Sequence, residues 1–321
     1  MSRAIHDHPD IKAETRARIM EVVQKHAFTP QWAAQSLRIR RTNTIGLALP
    51  NLTNGFFGQV AMTVDAYFRK ARFGTLICFT AKSYENELES LASLLGKDVD
   101  GIVFAPSRSS GRYAQALPLL HEKPLVVIDN RCEGLDACQV LHDNRFGIKL
   151  LADHLVERGY RTIGFIGGPQ EESSAAERLA AYRGALRAHG LPAGEELVRI
   201  ADWDQISGGY EATLDLLSGK RDRVRAVIYA NSELLLGGYK AIHELGLRMP
   251  ADLAVASFDP PYVIDSLVPR PTSLGRVEEK IALTASRLLH ELIGGRGPGA
   301  RPAARREIRV RSKLQVGQSS G

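Results

Sequence analysis

Several polar or aromatic side chains stand directly after short apolar runs of the sequence. Ligands of open parallel sheets bind outside the carboxyl ends of the strands, where amide, carboxylate and aromatic groups can hydrogen-bond to and stack on a small polar molecule. An Asn or Asp taken alone could equally cap the following helix. Their convergence favours a binding site. The residues are Asn51, Asn54, Phe56, Asp129, Asn130, Asn231, Ser232 and Asp259.

Signatures of catalysis are not found in the same positions. The segment GFIGGP lacks the GxGxxG spacing, no Gly-rich loop ends in GKS or GKT, no GxSxG elbow follows a strand, and HExxH does not occur. Cys132, Cys138 and His142 match no familiar zinc-ligand spacing and lack a fourth ligand. We therefore expect no catalytic residue, no metal site and no cofactor.

The apolar runs that precede these polar residues predict β-strands that alternate with helices. Seven runs, from IGLALP at 45–50 to LAVASFD at 253–259, are separated by segments such as YENELESLASLLG, whose apolar residues recur three and four apart. The pattern restarts near residue 162, at RTIGFIGG. It therefore predicts two sequential α/β halves with a ligand cleft between them.

Composition and charge are those of a globular protein with basic ends. Of the 321 residues 44% are hydrophobic and 24% are charged, and the formal net charge is +6. The N-terminal region and residues 296–313 are basic, whereas the remainder is mildly acidic. No secretion signal or membrane span is expected, and the odd number of cysteines favours a reducing cytoplasm.

The N-terminal region predicts a helix from about Ala13 to His26 and a short second helix that Pro30 can open, followed by a basic cluster. A short Ala-rich helix ending in Leu-Arg ahead of a ligand-binding body resembles the hinge of the LacI/GalR family of transcription regulators. The likeness continues through PQWAAQSLRIRRTNTIGLALPNLTNGFF, HLVERGYRTIGFIGGP, ERLAAYRGAL and YKAIHELGLRMPADLAVASFD. It runs over nearly the whole chain.

The resemblance implies an α/β fold with a periplasmic-binding-protein-like (type I) pair of doubly wound parallel-sheet subdomains. A partial helix-turn-helix domain at 1–29 and a hinge helix and linker at 30–42 would precede the body at 43–321. Subdomain one would comprise about 43–160 and 275–297, and subdomain two about 161–274 and 298–321. The segment ARREIRVRSKL would then form the last crossover and the final strand of subdomain two, so that its charge marks a solvated edge.

The resemblance also implies a homodimer that binds a near-palindromic operator. Leu37 would be the apolar wedge inserted into the minor groove, with Ala34 beside it and Arg38 at the groove edge. Without that context Leu37 is an ordinary apolar helix residue. Ser2 and Arg3 would be remnants of the recognition helix, because MSRAI stands where the family has a longer segment. With this start we expect no specific base reading by the two residues.

For the effector, the resemblance implies a sugar-like small molecule in the cleft between the subdomains. Arg178 also lies on an amphipathic helix and could be a surface cation, but the family register favours a ligand contact. The positions that the family implies are Asn54, Phe56, Ser174, Arg178, Trp203, Asn231 and Asp259.

These features predict a DNA-binding repressor whose operator affinity an effector changes. The alternative is a cytoplasmic sensor of small molecules that has lost specific DNA binding through N-terminal truncation. An extracytoplasmic solute-binding protein would share the body but should carry a signal peptide, and a sugar-metabolising enzyme would need a nucleophile or metal set.

Overall fold

The computed structural model describes residues 12–25, 42–110, 113–218, 224–295 and 306–321. The chain divides into two compact units, residues 1–42 and 43–321. In the first unit a helix, α1, spans Ala13–Lys25, close to the predicted 13–26. The residues expected to contact DNA lie outside the described residues; they are Ser2, Arg3, Ala34, Leu37 and Arg38.

The second unit contains two sheets. The strands of the first are β1 (Thr44–Leu49), β2 (Gly74–Phe79), β3 (Gly101–Phe104), β4 (Leu125–Ile128), β5 (Cys138–His142) and β11 (Glu307–Val310). They are parallel and follow the spatial order β11-β5-β4-β3-β1-β2. Neighbours in sequence lie on both sides of β1, so the strand order reverses there.

The second sheet repeats this arrangement. Its strands are β6 (Ile163–Gly167), β7 (Val198–Ile200), β8 (Ala226–Tyr229), β9 (Ala254–Ser257), β10 (Thr272–Leu274) and β12 (Leu314–Gln315). Their order is β12-β10-β9-β8-β6-β7, and β12 runs antiparallel to β10 while the other pairs are parallel. The predicted pair of doubly wound parallel sheets is therefore observed.

Helices cover the sheets and bury their apolar stripes against them. They are α2 (Gly55–Lys70), α3 (Tyr84–Gly96), α4 (Tyr113–Ala116), α5 (Asn144–Glu157), α6 (Ser173–Ala188), α7 (Ile206–Leu217), α8 (Ser232–Glu244) and α9 (Glu278–Gly294). Helices α2 and α9 share one core with the first sheet, α3 shares another on its opposite face, and α5 to α8 pack into the core of the second sheet. Among the described helices, none is long and apolar enough to cross a membrane.

The seven predicted runs all form strands, as does the predicted final segment ARREIRVRSKL at β11, but four further strands were not predicted. These are β5, β7, β10 and β12, of two to five residues. Polar residues interrupt them, as Gln139 does in CQVLH, Arg199 in VRI and Ser273 in TSL. β7 and β12 are partly exposed edge strands, which need no continuous apolar run, whereas β5 and β10 are each one strand in from an edge and bury polar residues such as Ser273.

Two of the predicted subdomain boundaries are wrong. Residues 307–310 pair with β5 in the first sheet, not in the second subdomain, because Ile308 and Val310 pack into the first core. Helix α5 belongs to the second subdomain, because its apolar face joins the core of the second sheet. The chain thus passes between the subdomains after β5, after β10 and after β11. The basic C-terminal segment does form a sheet edge.

Candidate functional site

A cavity of about 50 Å³ lies where the carboxyl ends of the two sheets face each other. This volume holds only a few water molecules. The first subdomain contributes the loops after β1, β2 and β4, and the second contributes those after β6, β7, β8 and β9. The side chains that line it include Asn54, Phe56, Lys82, Asp129, His142, Glu172, Arg178, Trp203, Asp204, Asn231, Asp259, Tyr262 and Glu278.

The structure brings together six of the seven side chains that the family resemblance assigned to an effector. Asn54, Phe56, Arg178, Trp203, Asn231 and Asp259 all line the cavity. The seventh, Ser174, does not. It is buried, and its hydroxyl and backbone N–H both donate to Oδ1 of Asn130, at 2.8 and 3.0 Å. Ser174 therefore joins α6 to the loop after β4 instead of facing the cavity.

Arg178 is fixed by contacts on several sides. Its side chain is 5% exposed. Nε donates to Oδ1 of Asn144 at 2.9 Å, and Nη1 donates to the carbonyl of Ala230 at 2.5 Å and to Oδ2 of Asp259 at 3.3 Å. The guanidinium also lies 3.7 Å from the ring centre of Phe258. A cation held this firmly can orient a polar ligand at little additional entropic cost.

Asn54 and Asn231 cap helices and line the cavity at the same time. Oδ1 of Asn54 accepts from the N–H of Phe56 at 2.9 Å at the start of α2. Oδ1 of Asn231 accepts from the N–H of Leu234 at 3.0 Å, and its Nδ2 donates to the carbonyl of Trp203 at 2.6 Å. The capping interpretation and the ligand interpretation are thus compatible at both positions.

Trp203 forms one wall of the cavity. It is 6% exposed, and its indole N–H donates to Oε1 of Glu172 at 3.2 Å. Its ring lies against Gly168, where a Cβ atom would come within 2.2 Å of the indole. A glycine at this position therefore allows the close contact between the loop after β6 and the indole.

Lys82 was not among the predicted site residues, although it follows the apolar run GTLICFT and the rule used for the others applies to it. Its ammonium lies 3.0 Å from Oε1 of Glu172 and 2.6 Å from Oδ2 of Asp204, across the cleft. Ala81 and Lys82 have φ values of +47° and +56°. Such backbone is unfavourable for non-glycine residues and is often found at functional sites.

The charges around Lys82 shift its pKa and that of its partner. Burial acts to lower the pKa of Lys82, but the ion pairs with Glu172 and Asp204 outweigh it, so that the pKa is raised. Burial raises the pKa of Glu172, and Lys82 opposes that rise. The ion pair holds the two subdomains together in this conformation.

Asp129 and His142 are the other strongly perturbed groups. Burial, and secondarily the Glu172 carboxylate, raises the pKa of Asp129 to about 7. Burial and the charge of Arg178 lower the pKa of His142 well below its usual value, and its Nε2 lies 2.6 Å from the hydroxyl of Ser312. The imidazole is therefore neutral at pH 7 and serves as a structural hydrogen-bonding group.

Carboxyl groups outnumber basic groups around the cavity. Five carboxyl groups and two permanently basic side chains line it; they are Asp129, Glu172, Asp204, Asp259 and Glu278 against Lys82 and Arg178. Such a set can accept hydrogen bonds from several hydroxyls of an uncharged ligand, and Arg178 can donate to one. Like charges disfavour an anionic ligand here.

Known proteins are similar to this chain in sequence and in fold. Residues 152–320 match the family model of a periplasmic binding protein-like domain. The ribose operon repressor of Haemophilus influenzae is 30% identical over 259 residues, covering 81% of this chain and 77% of its own.

Among solved structures, a complex of the transcriptional regulator CelR with cellobiose is 26% identical, with a TM-score of 0.75, and covers 99% of this chain and 94% of its own. The lac repressor dimer bound to operator and the anti-inducer ONPF is 20% identical, with a TM-score of 0.88 and the same coverage. The lac repressor comparison establishes the fold.

Proposed function

Because the chain belongs to the LacI/GalR family of transcription regulators, we propose that it is a DNA-binding repressor whose operator affinity is switched by a small sugar or sugar derivative. The effector would bind in the cleft between the two sheets. The chain would act in the cytoplasm as a homodimer on a near-palindromic operator. It would not act as an enzyme, since its curated relatives are transcription regulators.

The observation that carries the proposal is the convergence at the cleft. Six side chains from five separate stretches of the sequence meet at one cavity, and they come from both subdomains. Trp203 and Phe56 offer aromatic surface, while Arg178, Asn231 and Asp259 offer fixed polar groups. Apolar surface with a few convergent polar groups is typical of a site for a small polar molecule.

The N-terminal region would contact the operator DNA. We assign residues 1–29 to a partial helix-turn-helix domain and residues 30–42 to the hinge helix and linker, ahead of the effector-binding body at 43–321. Leu37 would enter the minor groove between base pairs, with Ala34 and Arg38 beside it. Wedging unstacks a base step at a cost of a few kcal/mol, which contacts of the bent duplex offset.

The switch would be a two-state equilibrium of the cleft. A ligand shifts such an equilibrium only as far as it binds one state better than the other. The closed cleft is held by internal contacts such as the Lys82–Glu172 ion pair. An effector that replaces these contacts would change the relative positions of the subdomains, and the hinge helices of the dimer would form or melt accordingly.

The test is operator affinity with and without ligand. DNA selected from random sequence by the protein would serve as operator, and D-ribose and cellobiose as first ligands. We expect a bound ligand to change operator affinity by roughly 5- to 150-fold, the usual range of allosteric coupling. Arg178→Met should abolish the response, whereas Arg187→Met, an exposed position on the same helix, should retain it. A ligand that binds the cleft and leaves operator affinity unchanged would contradict the proposal.

A further inference from the structure

Tyr262 lies across the mouth of the cleft and joins the two subdomains. It follows Pro260 and Pro261 in the loop after β9, and its hydroxyl donates to the carbonyl of Gly55 at 2.9 Å, at the start of α2. Its ring packs against Gly55, where a Cβ atom would come within 1.7 Å of Cε2. Only a residue without a side chain permits this contact.

The ring is also held in place by Arg276, which lies in the crossover between β10 and α9. The guanidinium of Arg276 lies 4.5 Å from the ring centre and donates from Nη2 to the carbonyl of Pro261 at 3.0 Å. The prolines restrict the backbone ahead of Tyr262. Its outer surface nevertheless remains open, since the residue is 55% exposed. Tyr262 is thus a partly exposed side chain whose position is fixed by its neighbours.

A second cavity, of about 320 Å³, lies on the other side of this ring. Its wall includes apolar side chains, Ile206, Leu236 and Val263, that the inner cavity lacks. The residues that line both cavities are Asn54, Gly55, Asp204, Ser232 and Tyr262. The contact between Tyr262 and Gly55 therefore lies between a small inner cavity, which Arg178 and Asp259 line together with Trp203, and a larger outer one.

We propose that Tyr262 is the gate of the inner cavity and limits the effector to a single sugar ring. The inference deepens the proposed function and rests on it for the identity of the ligand. A second ring attached to one bound among the inner polar groups would have to pass through the place that the tyrosine ring occupies. A monosaccharide would enlarge the inner cavity by displacing internal contacts such as the Lys82–Glu172 ion pair, and the tyrosine ring would then close again over it.

The gate can be tested without knowing the effector, because Trp203 lines the inner cavity. In a Trp32→Phe background it is the chain's remaining tryptophan, so that its fluorescence reports access to the cavity. Tyr262→Ala should raise the acrylamide quenching constant of Trp203 severalfold, and Tyr262→Phe, which keeps the ring, should stay near the parent. The bulkier neutral quencher 4-hydroxy-TEMPO should be excluded by the parent and admitted by Tyr262→Ala.

A second variant displaces the ring while keeping the tyrosine. Gly55→Ala adds a methyl group where the ring now lies and should raise quenching as Tyr262→Ala does. Gly96→Ala, at the end of α3, is the matched control, since a Cβ atom there meets nothing within 4 Å. Circular dichroism and melting temperature show whether each variant folds. Quenching that is unchanged in folded Tyr262→Ala and Gly55→Ala would overturn the gate.

Size selection is then measured with sugar pairs such as glucose and cellobiose, by calorimetry. The parent should prefer the monosaccharide of a pair by roughly 100-fold or more, and Tyr262→Ala should lose most of that preference. Equal binding of both sugars by the parent would overturn the size limit. If no sugar binds, the proposed function fails for this ligand class, whereas the two quenchers still decide whether Tyr262 restricts entry by size.

Discussion

Replacing Asp129 by Asn should stabilise the effector-binding body by an amount that grows as the pH rises. Asp129 follows β4 with a φ of +66°, a backbone region that Asn adopts as readily as Asp. Burial, reinforced by the Glu172 carboxylate, raises the pKa of its carboxyl from 3.8 to about 7, although Arg178 and Lys82 oppose the rise. Folding therefore keeps a proton that the unfolded chain has released.

Proton linkage determines whether this carboxyl makes stability rise or fall with pH. Above pH 3.8 the unfolded chain binds fewer protons at Asp129 than the folded chain, so stability falls as the pH rises and levels off above about pH 7. The shift corresponds to at most about 4 kcal/mol at pH 8 and to roughly 0.5 kcal/mol at pH 4. An Asn side chain has no proton to release and escapes this loss.

Urea unfolding of the parent and of Asp129→Asn between pH 5 and pH 8 measures the difference. The variant's advantage in free energy of unfolding should widen by roughly 2–3 kcal/mol over this interval. Asp98→Asn is the matched control, because Asp98 also has a positive φ, +52°, but is 70% exposed beside Lys123. An advantage of Asp129→Asn that does not grow with pH would refute the assignment of a buried, protonated carboxyl.

Three further outcomes are expected. Lys82→Met should lower the free energy of unfolding by about 1–3 kcal/mol in urea titrations, because it leaves the buried Glu172 and the partly exposed Asp204 without their cation, whereas exposed Lys97→Met should have little effect. Glucose 6-phosphate should bind at least roughly tenfold more weakly than glucose in calorimetry, because the surplus of carboxylates repels a phosphate. Arg309→Lys should reduce the melting temperature, since the guanidinium of Arg309 donates to both oxygens of Glu177 at 2.9 Å and an ammonium cannot match that geometry.

Residues that line the cavity could be predicted from the sequence where they follow a recognisable apolar run. Asn231 and Asp259 follow strong apolar runs, so the rule for carboxyl ends of parallel strands identifies them without further information. The family register added Arg178 and Trp203. Ser174 shows what an alignment with the family cannot predict. Its hydroxyl donates to Asn130 instead of facing the cavity, and this orientation depends on the neighbouring loop after β4.

Contacts across the cleft could not be predicted, because they depend on how the two subdomains meet. Lys82 and Glu172 are 90 residues apart and follow strands of different sheets. The crossover after β11 could not be predicted either. The charged and apolar residues of EIRV alternate, as they would in an edge strand of either sheet. Only the packing of Ile308 and Val310 into the first core decides between them. Long-range packing of this kind leaves no periodic signal in the sequence.

The closed cleft has a consequence for the switch. Its side chains already satisfy one another: Lys82 pairs with Glu172, Arg178 with Asp259, and Tyr262 with Gly55. A ligand therefore competes with these contacts, and its apparent affinity includes the free energy needed to break them. Variants that weaken a cross-cleft contact without touching the inner polar groups, such as Gly55→Ala, should bind a small effector more tightly or exchange it faster. The strength of the internal contacts would then set the effector concentration at which the repressor responds.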